Sequence, residues 1–142
     1  MSKHELSSAD REFRRAFEAG AFAPADFSHR QHVRLAYVYL VDCDVNLALD
    51  RMRAALVCFL SHHGIPATKY HETLTRAWIL AVHHFMHRTP EASSADDFID
   101  RNPMLLDSKI MLTHYSAGLL FSDAARAEFV EPDLDPIPRH AA

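Results

Sequence analysis

The sequence predicts an all-α single domain over residues 1–142, a helical bundle of five to seven helices with an extended C-terminal tail over 131–142. Three observations carry this. Apolar residues recur at three- and four-residue spacing through most of the chain. Ser, Thr, Asp or Asn stands ahead of each such stretch, where a helix start needs a side-chain acceptor. No stretch alternates apolar and polar residues as a half-buried strand would.

Ser7 or Ser8 caps a first helix through Glu18, with Phe13 and Phe17 one turn apart and Gly20 as its stop. After a connection containing Pro24, Phe27-Ser28-His29-Arg30-Gln31 reads as a capping box opening a second helix to about Val41. Asp44 caps a third helix from Val45 to His63, whose apolar face is Val45, Leu49, Met52, Leu56, Phe59 and Leu60; Gly64 ends it. Thr68 is expected to cap a fourth, from Lys69 to about His87, faced by Leu74, Trp78, Val82 and Phe85. Ser94 caps a short fifth helix with Asp96 and Asp97 in its first turn, as the helix dipole prefers. Asn102-Pro103 is expected to open a long sixth helix to about Phe121. Its two apolar stripes, Leu105-Leu112-Leu119 and Leu106-Ile110-Ala117-Leu120, would make it central. Ser122 caps a last short helix through Phe129, and Pro132 to Pro138 leaves as the extended tail.

Composition narrows the function classes. Hydrophobic residues at 49% and charged residues at 24% are those of a soluble globular chain. A formal charge of −4 argues against a basic nucleic-acid footprint. The first nine residues lack the apolar core of a signal peptide, and no apolar run reaches membrane-spanning length. Cys43 and Cys58 are the only cysteines and neither has the electropositive setting of a nucleophile. A reduced, cytoplasmic protein is expected, interacting with neither nucleic acid nor membrane.

Histidine is the residue type that stands out, with 11 in 142 residues. A step of about 100° per residue from His32 places Leu35, Ala36 and Tyr39 on its own face, with Arg30 and Arg34 opposite. His71 falls among Leu74, Thr75, Trp78 and Val82, and His63 among Leu49, Met52, Leu56 and Phe59. Short connections make the second, third and fourth helices antiparallel neighbours. His29, His32, His63 and His71 are therefore expected at one end of the bundle. Near the start of a helix, the dipole opposes protonation of His29 and His71, leaving imidazoles able to ligate a metal or move a proton. His83, His84 and His87 sit near a helix end, where the dipole favours cations.

Three functions follow from that convergence. In the first, His29, His32 and His71 hold a divalent metal (Zn, Fe, Ni or Cu), with His63, Tyr70 or Tyr39 handling protons in a metal-dependent reaction. In the second, a metal-free pocket takes a small organic anion, with Arg30, Lys69, Thr75 and Tyr115 as binding groups and histidine as acid or base. In the third, the histidines are structural and the chain is a non-enzymatic helical interaction module. Glu72 is expected to support His71 or to pair with Arg76 at i, i+4. The expected partner is a metal or small molecule, with a homo-oligomer admitted and catalysis left open.

Overall fold

Side-chain caps start most of the helices. The structure, a computed structural model, describes residues 3–140; the terminal readings at 1–2 and 141–142 lie outside the described residues. Ser7 and Asp10 form a reciprocal capping box at α1 (Ser8–Glu18). Ser28 accepts from Gln31 N–H at α2 (His29–Asp42), and Asp44 from Leu47 N–H at α3 (Val45–His62). Gly20 follows α1 with φ 73°, and a Cβ there would meet the His62 ring at 2.6 Å, so both backbone shape and close approach require glycine.

The fourth helix begins later than its spacing suggests. Residues Ala67–Lys69 form a 3-10 turn, and α4 runs Glu72–Arg88 with His71, not Thr68, as N-cap. The His71 ring accepts the Leu74 N–H that a Ser or Asp would otherwise take. α5 (Ala95–Arg101) is capped by Ser94 as expected.

The expected long sixth helix is replaced by two 3-10 segments, Pro103–Leu106 and Ser108–Thr113, followed by α6 (Ala117–Leu120). Asp107 takes the Lys109 N–H at 2.9 Å, and Asp133 clamps Ser116 through its N–H at 2.8 Å and its hydroxyl at 2.6 Å. These short polar side chains offer the backbone local partners that compete with a continuous helix. α7 (Asp123–Ala127) closes the helical part, ending two residues short of Phe129. A two-residue parallel pair also forms, β1 (Lys3–His4) with β2 (Glu91–Ala92), which no alternation announces because it is too short to show one.

The result is an all-α helical domain whose central element is α2. Val33 and all of Leu35 to Leu40 are buried on it, and it packs against α1, α3, α4, α5 and the Pro103–Leu106 turn. A helix apolar all round is a buried one, and here that helix is the second rather than the sixth. Asp10, 1% exposed, ties three helices at one point: it accepts from Ser7 N–H, Ala95 N–H and Arg34 Nε. Among the described residues no helix is long and apolar enough to cross a membrane.

Candidate functional site

α2, α3 and α4 pack mutually, and they line a half-open cavity of about 220 Å³. Its apolar lining is Phe27, Leu56, Phe59, Leu60 and Leu74; its polar lining is His32, Lys69, Tyr70, His71 and Thr75. Phe27 comes from the residue before the Ser28 cap, the α3 residues from the apolar stripe that ends at Gly64. His32 comes from the first turn of α2, and the rest from the short α3–α4 connection and the start of α4. Apolar cavities of about 150 Å³ hold a benzene ring, so this one has room for a ring and a short substituent.

The two histidines in this wall have opposite hydrogen-bond environments. His71 is spent at both ring nitrogens: Nδ1 accepts from Leu74 N–H at 3.0 Å, and Nε2–H donates to the Leu120 carbonyl at 2.7 Å. Those bonds fix one neutral tautomer. Burial lowers its pKa, helped by Arg126. His32 stacks on Phe27, with centroids 5.7 Å apart, and its Nε2 is buried with no protein hydrogen-bond partner. Burial, with a smaller contribution from nearby His29, pulls the His32 pKa down to about 4.

His29 faces another way. Its Nε2–H donates to the Leu105 carbonyl at 2.9 Å and its ring stands edge-on to Trp78 at 4.6 Å. His63 caps α3, edge-on to Phe59 at 4.7 Å, with a buried Nε2 that also has no protein partner, but it is not in the cavity lining. With both His71 nitrogens engaged, His29, His32 and His71 are not assembled as a three-nitrogen chelate. Among the described residues, no group of three or more His, Cys, Asp or Glu stands so as to hold a metal ion.

The remaining sequence candidates divide. Lys69, Tyr70 and Thr75 reach the cavity. The Tyr70 hydroxyl donates to Glu72 at 2.7 Å, and its pKa is raised by burial and by that bond. Thr75 Oγ1–H donates to the His71 carbonyl at 2.8 Å. Arg30 instead pairs with Asp96 at 3.0 Å on the α5 side. Tyr39 donates to Glu18, and burial raises its pKa. Tyr115 donates to the Val130 carbonyl at 2.7 Å.

Glu72 pairs not with Arg76 but with Arg53 of α3, through two bonds of 2.8 and 2.6 Å. Arg76 lies over the Phe129 ring at 4.3 Å. The Arg53 bonds hold the Glu72 carboxyl below its ordinary pKa. Arg53 was not legible as a site residue, since its partner lies 19 positions away on another helix. A larger open hollow of about 500 Å³ beside the strand pair is lined by charges of both signs, including the Asp97–Arg101 ion pair.

No protein-family model matches the chain, and neither a curated protein nor a solved structure does.

Proposed function

We propose that the chain is a metal-free binding protein for a small, ring-sized organic anion, taken up in the cavity between α2, α3 and α4. The observation that carries this is the buried, unpartnered Nε2 of His32, a residue of the cavity lining whose polar neighbours Tyr70, His71 and Thr75 are committed to protein partners. A buried polar atom without a partner costs on the order of 1–3 kcal/mol, a cost a ligand group would relieve. The apolar lining takes the ring, neutral His32 donates Nε2–H to a carboxylate oxygen, and exposed Lys69 supplies charge at the margin.

Binding is favoured over proton transfer. A base with pKa about 4 is poorly matched to abstracting protons near pH 7. The Tyr70 and Tyr39 hydroxyls are held protonated and committed to Glu72 and Glu18.

Benzoate and phenylacetate, with their uncharged amides, are suitable probes in an NMR titration read at the Leu60 and Leu74 methyls and the His32 ring. The acids are expected to shift all three and to bind about tenfold more tightly than the amides, equivalent to about 1.4 kcal/mol. Leu60→Trp, which fills the cavity, should abolish the shifts. If neither acid nor amide moves these signals at millimolar concentration, or Leu60→Trp leaves binding intact, the reading fails.

A further inference from the structure

We propose that the C-terminal tail is a proton-released strap, held on α4 by the packed, uncharged imidazoles of His83, His84, His87 and His140. Three come from the end of α4 and the fourth from the tail. His84 Nδ1 and His140 Nε2 share a hydrogen bond of 2.8 Å. The His140 ring also lies flat on His87, with centroids 4.2 Å apart and planes 9° from parallel. His83 stands edge-on to His87 at 4.5 Å and lies 6.1 Å from His140.

This cluster does not tolerate protonation of all its rings. A bond between two imidazole nitrogens needs a lone pair on one of them, so doubly protonating the pair removes it. Two flat-stacked imidazolium rings would also place like charges in contact. The groups acting on the cluster are basic as well. Burial, then His87 and His140, hold His83 down to about 4; burial, then His140, Arg88 and His87, hold His84 below its ordinary value.

The other tail contacts do not share this sensitivity. Leu134 N–H donates to the His114 carbonyl at 2.9 Å, Ile137 is buried, and Arg139 pairs with Glu131 at 2.9 Å. His114 itself donates Nδ1–H to the Asp135 carbonyl at 2.6 Å, a bond that protonation preserves. Asp133 is held on Ser116 and its carboxyl is lowered by those bonds, so it stays ionised throughout the range that matters. Below the ordinary histidine value of 6.5, His83 and His84 take up protons more readily with the tail released than with it docked, and release is driven as pH falls towards about 4.

The test follows the Ile137 methyls by NMR in EDTA from pH 7.5 to pH 4.5, with the Val33 methyls as a core control. The wild-type Ile137 signals are expected to move from docked to random-coil positions below pH 6.5 while Val33 stays fixed. His140→Phe keeps a flat ring on His87 and cannot take up a proton, so its Ile137 signals should remain docked over the same range. The proposal is overturned if wild-type Ile137 does not move, if Val33 moves with it, or if His140→Phe opens alike. A tail already free at pH 7.5 in EDTA would also overturn it, since a metal rather than neutral imidazole would then be the fastener.

Discussion

Replacing His71 by Phe keeps a ring in the cavity wall but removes an acceptor from Leu74 N–H and a donor from the Leu120 carbonyl. The loss should be about 2 kcal/mol in urea unfolding, because two backbone groups lose their partners. His32→Leu removes a nitrogen that has no protein partner, so stability should hold or rise by up to about 1 kcal/mol while benzoate binding is lost. Equal destabilisation by both would make His32 a structural residue. Helical projection was enough to put both rings on inward faces, because that depends only on spacing. Which ring is satisfied depends on carbonyls such as Leu120, 49 positions away, and spacing carries nothing about them.

At the scale of elements, the sharpest dependence is on Asp10, which joins the starts of α1 and α5 to Arg34 on α2. Burial alone would raise its pKa, but the hydrogen bonds from Ala95, Ser7 and Arg34 outweigh that and hold it low. Asp10→Ala strands two backbone donors and a guanidinium that also lies over Phe13 at 4.4 Å. A loss of about 3 kcal/mol is expected by denaturant unfolding, and Asp10→Asn should lose less. The first three helices were legible to within a residue or two because each begins at a Ser or Asp cap with apolar residues at helical spacing behind it, and the start of α5 was legible from its Ser94 cap. α4 was not, because its cap is a histidine. The stretch 103–121 misled for a different reason: its apolar residues fit a helix, but Asp107 and Ser116 give the backbone competing bonds, one of them completed by Asp133 from the tail.

For the molecule as a whole, pH should shape stability from both sides. His32 and His83 titrate near 4 when folded, against an ordinary 6.5, and His71 and His84 are also lowered. Between those values the unfolded chain binds more protons, so stability is full above about 6.5 and falls as pH drops towards 4. Buried Tyr37, Tyr39 and Tyr115 and half-buried Tyr70 are raised from 10.0, Tyr115 to about 12, so the unfolded chain gives up protons first and stability falls again above about 10. Urea midpoints measured across pH should show a plateau bounded by those two limbs; a flat profile from pH 5 to 7.5 would contradict the histidine assignments. The strand pair has a bearing on how the chain is made. His4 Nε2 meets the Thr89 carbonyl 85 positions later, and Lys3 pairs with Glu91. At roughly 5–20 residues per second of synthesis, the segment carrying Lys3 and His4 is made on the order of ten seconds before its partners are translated. It has nothing to pair with until α4 and β2 exist, so its ordering waits on residues made long after it.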